Sequence, residues 1–331
     1  MTPTRAIRDP LPRRTRTYRN HHLDSTRWDH FRPRPGDVLI STSYKSGTTW
    51  VQRIMSLLVF GGRELPEPLG GLSPWVEMRL PPMEQVIEKL ERQEHQRFVK
   101  SHLPLDALPY FPEVRYIWVA RDTRDVFMSL WNHYSSHTDA AYDMFNQGDP
   151  EGGPLPRCPD DPRELWRSWM TRSSFPWEKD GWPYWSHHYH AASFWRYRRL
   201  PNLLAVHFND LLADLPGQMR RVARFAGIEV ADGDWPRLVD AARFASMREE
   251  AVREEARAPD PTWSKVWRDG AASFFFQGTN GRWRDVLGAA DLELYDTAAA
   301  RLDPQLRQWL EEGSLVAGDP QKSRGGQAHC L

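Results

Sequence analysis

Three groups of residues in this chain are placed to do chemistry. The first is Ser41-Thr-Ser-Tyr-Lys-Ser-Gly-Thr-Thr-Trp50. If it joins a strand to a helix N-terminus, it presents several free backbone N–H groups in the positive end of the helix dipole, which makes an anion site. Gly47 permits close backbone approach, Ser46, Thr48 and Thr49 add hydroxyl donors, and Lys45 adds a full charge. The lysine precedes the glycine, so the order differs from the GxxxxGK[ST] loop of nucleotide triphosphatases. The second group is Arg121, directly after an apolar run, with Ser129 eight residues on. An arginine there is a bidentate phosphate ligand, although taken alone it reads more simply as a surface salt-bridge partner. The third is Lys100-Ser-His102. Two residues apart on an extended chain, both side chains face one side, and a histidine beside a cationic anion pocket can take a proton from a hydroxyl. A lone histidine carries no such meaning; the phosphate loop supplies it.

The elements that must position these groups are legible as short apolar runs. Asp37–Thr42, Gln96–Ser101, Val114–Ala120 and Asn202–Phe208 read as buried strands. Trp50, Ile54, Leu57 and Leu58 recur at helical spacing over 49–60, and Gly61-Gly62 stops that helix. A second helix starts near Asp122 or Thr123 and runs through Val126, Phe127, Leu130 and Tyr134, which puts Ser129 about two turns in. A third covers Gln218–Ala226. Strands alternating with helices predict an α/β fold with a P-loop-like central parallel sheet flanked by helices on both faces, its ligand at the strand ends.

The expected organisation is a solvated N-terminal arm over residues 1–35, one domain over 36–312 and a tail over 313–331. The first 36 residues carry nine arginines and no glutamate, with no amphipathic run or apolar stretch of the kind targeting segments show. Residues 135–165 lack a steady period and read as a lid loop. Six tryptophans, 166, 169, 177, 182, 185 and 195, follow or border it; such clusters serve a core more often than a substrate cage.

With 44 basic and 44 acidic residues the formal charge is zero, which argues against a duplex-DNA binder. No apolar run is long enough for a membrane span. Cys158 and Cys330 make neither a disulfide framework nor a metal cluster, so a reducing, cytoplasmic setting is the expectation.

At this point a resemblance is plain. Tyr44-Lys-Ser-Gly-Thr-Thr-Trp50, Lys100-Ser-His-Leu-Pro104, Val119-Ala-Arg-Asp-Thr-Arg-Asp-Val126 with Ser129, and Phe274-Phe-Phe-Gln-Gly-Thr-Asn-Gly-Arg-Trp283 stand in the order found in cytosolic-type sulfotransferases. That family uses 3′-phosphoadenosine 5′-phosphosulfate (PAPS) and releases PAP. The resemblance implies that Lys45, Ser46, Gly47, Thr48 and Thr49 bind the 5′-phosphosulfate, that Trp50 and Phe244 lie against adenine, and that Phe208 also belongs to the donor site. Arg121 and Ser129 hold the 3′-phosphate, with Gln277 and Gly278 in the C-terminal donor loop. His102 is the implied general base, and Lys45, Lys100 and Ser129 complete the implied catalytic set. In-line transfer to the hydroxyl of a small, aromatic or lipid-like acceptor follows, with no metal required. A homodimer is one arrangement left open.

The chain departs from the family pattern in three places. Phe276-Gln277-Gly278 stands where the family has Arg-Lys-Gly, Phe208 where it has tyrosine, and Ala242 where it has threonine. Donor binding is expected to be weaker unless Arg282 or Arg284 reaches the 3′-phosphate. His190, Phe194 and Trp195 lie in the segment most similar to the family's acceptor side. Two readings compete with the transferase: a P-loop kinase, disfavoured because no acidic magnesium site follows the strands, and a degenerate nucleotide-binding or interaction protein, suggested by the missing Arg-Lys pair.

Overall fold

The computed structural model describes residues 11–148, 150–257, 261–275 and 277–322. Four strands, β1 (Val38–Ser41), β2 (Phe98–Ser101), β3 (Arg115–Ala120) and β4 (Leu203–His207), form a parallel sheet in the order β2-β1-β3-β4. The register pairs Ser41 with Ser101 of β2 and with Trp118 of β3, so these strands end near one another at the C-terminal edge. Each strand is fully or nearly buried, which explains why it reads as a continuous apolar run.

Alternation along the strands divides the core in two. Leu39, Val99, Tyr116, Trp118, Leu203 and Ala205 face one cluster; Val38, Ile40, Phe98, Ile117, Val119, Leu204 and Val206 face the other. Against the second face lie α1 (Thr48–Phe60) and the helix Leu215–Ala226, through residues such as Ile54, Leu58, Met219 and Val222. Against the first lie the helices Thr123–Ser135, Pro162–Thr171 and His187–Trp195. This is the helix-flanked parallel sheet expected. At the opposite edge of the sheet the Arg97 guanidinium meets Asp37 at 2.5 and 2.9 Å, both side chains almost fully buried.

Two expectations about the periphery need correction. Within the described part of the N-terminal arm, Tyr18, Leu23, Trp28 and Phe31 are buried in the main core and Trp28 Nε1 donates to Glu77 at 2.8 Å. The arm is therefore an integral layer and not a solvated strap: Arg13, Arg14, Arg16, Arg19 and Arg32 are exposed, while Arg27 and Arg34 bond to carbonyls of the domain and the widely spaced aromatics anchor the arm. Residues 135–165 likewise hold a helix, Asp139–Asn146, with Thr138 accepting from the Ala141 N–H. Its Ala141, Tyr142 and Phe145 are buried, so the segment is packed and not a structureless loop. In the C-terminal segment, Gln321 Nε2 donates to the Leu203 carbonyl and Arg198 Nε to that of Pro320, which ties residues 313–322 to the domain. Residues 1–10 of the arm, Phe276, and the end of the tail with Cys330 lie outside the described residues.

Candidate active site

The site is built at the C-terminal ends of β1, β2 and β3. After β1 the chain turns through Thr42–Gly47 into α1, with Lys45 at φ 49° and Gly47 at φ 114°. A Cβ on Gly47 would lie 3.1 Å from Phe208 Cδ2, so the position requires glycine for both conformation and space. No side chain caps α1 and its first turn holds no acidic residue, leaving its leading N–H groups available to an anion. Side chains of the tryptophan-rich segment fix the loop from behind. Trp185 Nε1 donates to the Ser43 carbonyl at 2.7 Å, Trp169 Nε1 to the Tyr44 hydroxyl at 2.6 Å, and that hydroxyl to the Trp185 carbonyl at 2.8 Å. His187 Nε2 donates to the Arg121 carbonyl, so its Nδ1 accepts the Ser43 hydroxyl at 2.6 Å.

Lys45, Lys100 and His102 are brought together. The Lys45 ammonium is 3.4 Å from His133 Nδ1 and over the Phe274 ring. Trp267 Nε1 also donates to that nitrogen, so the His133 ring is neutral and accepts there. Burial, together with the charges of Lys100 and Arg121, pushes the Lys45 pKa down to about 7. Lys100 lies over the Trp75 ring and burial lowers its pKa to about 8, against the favourable charge of Glu77. His102 sits edge-on to the same Trp75 ring, as the two-residue spacing predicts, although β2 ends one residue before it.

The tautomer of His102 follows from its partner. Its Nδ1 lies 2.9 Å from the Thr42 carbonyl oxygen, which can only accept. Nδ1 therefore carries the proton and Nε2 keeps its lone pair. Burial and the charges of Lys100 and Lys45 hold the ring well below its usual pKa, so it is neutral near pH 7. Thr42 Oγ1 also touches Thr48 Oγ1 at 2.6 Å, which couples the imidazole to the first residue of α1.

Several supporting residues escape a reading of the sequence. Glu77 is fully buried and accepts from the His102 N–H, the Trp75 and Trp28 indoles and the Ser101 hydroxyl at 2.6 to 3.0 Å. It thus fixes both the backbone of the imidazole and the ring under Lys100. Little in Ser73-Pro-Trp-Val-Glu77 announces this, since apart from Trp75 the partners come from two distant segments, Trp28 and Ser101-His102.

Arg121 joins the loop after β1 to the C-terminal loop. Its guanidinium donates to the Lys45 and Thr279 carbonyls and to Asn280 Oδ1 at 2.7 to 3.3 Å, and lies 4.0 Å over the Phe208 ring. The C-terminal loop is held further by Asn280 Nδ2 to Asn209 Oδ1 and by the Gly281 N–H to Asp125. Arg282 lies close enough to Arg121 for their charges to oppose one another, whereas Arg284 is exposed and folds onto Trp283. Ser129 is half-buried in the helix Thr123–Ser135, whose Asn132 Nδ2 donates to the Ser273 carbonyl of the incoming C-terminal segment. Trp50 donates to the Ala242 carbonyl at 2.8 Å and packs edge-to-face on Phe208, which begins a helix just past β4. Gly278 lies against the Phe244 ring, 2.7 Å from where its Cβ would stand.

Of the three residues in the acceptor-like segment, His190 lies close enough to His102 to help lower its pKa, while Phe194 and Trp195 pack away from the site's polar groups. His190 Nε2 meets Ser41 Oγ, Phe194 stacks on Trp118, and Trp195 is buried beside Trp309. Of the six tryptophans, Trp166, Trp169, Trp185 and Trp195 are buried in the core, whereas Trp177 is half-buried at its margin and Trp182 lies outside it. Among the described residues no group of three or more His, Cys, Asp or Glu side chains is placed to hold a metal ion, and no helix is long and apolar enough to cross a membrane.

Comparison with known proteins agrees with this geometry. The sulfotransferase domain family matches residues 35–309. A glycolipid sulfotransferase of Mycobacterium bovis is 33% identical over 313 residues, covering 89% of this chain and 94% of the relative. Sulfotransferase 1A1 of Rattus norvegicus is 25% identical over 81% of this chain and 84% of its own. In fold, the chain resembles mouse sulfotransferase SULT7A1 complexed with PAP, with a TM-score of 0.62, 16% identity, and 86% and 92% of the two chains covered. It resembles equally a retinol dehydratase solved with androsterone and inactive cofactor PAP, with a TM-score of 0.62, 20% identity, and 83% and 82% covered. A tight turn into an uncapped helix after β1, a neutral imidazole at the end of β2 and a matching family over most of the length lead to one conclusion: the chain belongs to the sulfotransferase family.

Proposed function

We propose that the protein transfers a sulfuryl group from PAPS to a hydroxyl of a small-molecule acceptor with an apolar body, in the cytoplasm, releasing PAP. The observation that carries this reading is the locked tautomer of His102, with its unprotonated Nε2 in the field of two lysines beside an uncapped helix N-terminus.

The residues present suit the donor. The leading N–H groups of α1, Lys45, Ser46, Gly47, Thr48 and Thr49 would hold the 5′ end, at a turn too tight for any Cβ. Trp50, Phe208, Phe244 and Gly278, gathered on one side of the sheet, would enclose adenine. Arg121 and Ser129 would face the 3′-phosphate, with Gln277 at the loop where the family carries two charges. Arg282, placed within the field of Arg121, is the substitute cation; Arg284 faces solvent.

The chemistry supplied by PAPS when bound is release of its sulfuryl group, the bond from sulfur to the 5′-phosphate oxygen breaking as a bond to the acceptor oxygen forms. His102 Nε2 takes the acceptor proton, and the Thr42 carbonyl orients the ring and stabilises the imidazolium through Nδ1–H. Lys45 and Lys100, whose charged forms the bound donor favours, place positive charge where negative charge grows, in a site screened from water. The name glycolipid sulfotransferase borne by the M. bovis relative supports a lipid-like acceptor body.

The kinase reading is weakened by Asp122, the acid at the end of β3. It caps the helix Thr123–Ser135 and is paired with Arg124 at 2.5 Å, so its carboxylate is already occupied. The binding-relic reading is weakened by the retained and oriented base. Incubation with labelled PAPS and a panel of phenols and alcohols tests the proposal: label in product, with PAP raising Tm, is expected. Magnesium-dependent use of ATP, or PAP binding without transfer to any acceptor, would contradict it.

A further inference from the structure

Beyond Lys45 the interior continues into a shell of aromatic rings. The His22 ring stacks on Phe145 at 3.9 Å, and Tyr184 packs 5.3 Å from His22 and 5.4 Å from Tyr134. His137 packs 5.8 Å from the same Tyr134 ring, 5.7 Å from Phe145 and 5.2 Å from His133, whose Nδ1 meets the Lys45 ammonium. The shell is therefore continuous with the transfer centre.

Two side chains in it stand out. His137 is 2% exposed and neither of its ring nitrogens has a hydrogen-bond partner; Tyr184 is 4% exposed and its hydroxyl has none. Buried polar groups are almost always paired, because leaving one unpaired costs more than a hydrogen bond is worth. Neither can turn away to find a partner. The His137 backbone is clamped by Tyr134 and by the antiparallel bridge to Trp267, and the Tyr184 ring is wedged among His21, His22, Tyr44 and Trp185. Burial keeps the imidazole neutral, so it offers one donor and one acceptor, as the phenol does. Such a pair suits uncharged hydroxyls, and the surrounding ring faces suit the C–H face of a saturated ring.

We infer that His137 and Tyr184 form an acceptor subsite that reads a second hydroxyl, so that the substrate is a neutral polyol, such as a sugar carried on an apolar chain, rather than a mono-hydroxyl compound. The inference rests on the sulfotransferase reading above and extends it to the acceptor's non-reacting end. A site built to bond a hydroxyl discriminates strongly against analogues lacking it.

The test uses n-octanol and n-octyl glucoside, which share their alkyl chain and differ by the sugar. Transfer from labelled PAPS gives kcat/KM for each, and calorimetry on the PAP-saturated protein gives each Kd. The wild type should prefer the glucoside, and Tyr184→Phe and His137→Leu should each lower the glucoside-to-octanol ratio about 10-fold in both measurements. Tyr184→Phe removes a single oxygen and preserves the ring, so it decides the matter if His137→Leu folds poorly. A ratio unchanged in Tyr184→Phe, or a wild type that favours octanol, overturns the subsite while leaving the transferase reading intact. Failure of the wild type to bind PAP at all would overturn both.

Discussion

Binding of PAP should draw protons onto the protein at mildly alkaline pH. In the ligand-free protein the Lys45 pKa lies at about 7 and that of Lys100 at about 8, both lowered chiefly by burial. At pH 8, then, roughly nine-tenths of the Lys45 side chains and about half of the Lys100 side chains are uncharged. Phosphate bound beside them favours the charged form of each. Association at pH 8 should therefore take up about 1.4 protons, some 0.9 from Lys45 and the rest from Lys100. The phosphates, already ionised at that pH, contribute little. By the same linkage the contribution of Lys45 alone weakens PAP binding about 50-fold between pH 7 and pH 9. Folding runs the other way: over this window the unfolded chain holds more protons on these lysines than the folded one, so their contribution to the stability of the ligand-free protein rises with pH. Calorimetry at pH 8 in buffers of different ionisation enthalpy measures the uptake directly. Lys45→Met should leave about 0.5 proton. No net uptake in the wild type, or the same uptake in Lys45→Met, would refute the reasoning, because the lysines would then be charged before the anion arrives.

Other perturbations separate the parts of the donor site. Gly47→Ala forces a side chain into a left-handed turn 3.1 Å from Phe208; PAP should lose its effect on Tm while the fold survives by circular dichroism. Gln277→Lys restores one of the family's charges and should tighten PAP about 10-fold, and Arg282→Ala should weaken it by a similar factor, both read by calorimetry. If Arg284→Ala weakens PAP instead, the wrong arginine has been assigned.

Much of this architecture is legible in the sequence because its strands are buried on both faces. Val38–Ser41 and Arg115–Ala120 show as unbroken apolar runs, and each lies within the expected stretch. The helix after β3 is legible from the spacing of Val126, Phe127, Leu130 and Tyr134, and in the structure Asp122 caps it. The loop Tyr44–Trp50 and the pair Lys100 and His102 were legible because each element presents its own residues to the same strand ends. What the sequence conceals are partners joined only in space. Glu77 serves His102 and Trp28 from a segment of irregular backbone. Asn280 and Asn209, far apart in the chain, meet only when the C-terminal loop crosses the ends of β3 and β4. The burial of the N-terminal arm does not show in the sequence because Tyr18, Leu23, Trp28 and Phe31 follow no helical or strand period, yet each packs into the core. The helix Asp139–Asn146 is hidden because a segment so short shows barely two apolar repeats, with Gly and Pro close behind it.

The most direct test concerns His102, whose Nε2 is the base on which the account turns. His102→Gln is compared with the wild type for sulfate transfer from labelled PAPS and for PAP affinity by calorimetry. A fall in kcat of about 100-fold or more is expected, with PAP affinity nearly unchanged. Transfer at the wild-type rate by His102→Gln would contradict it.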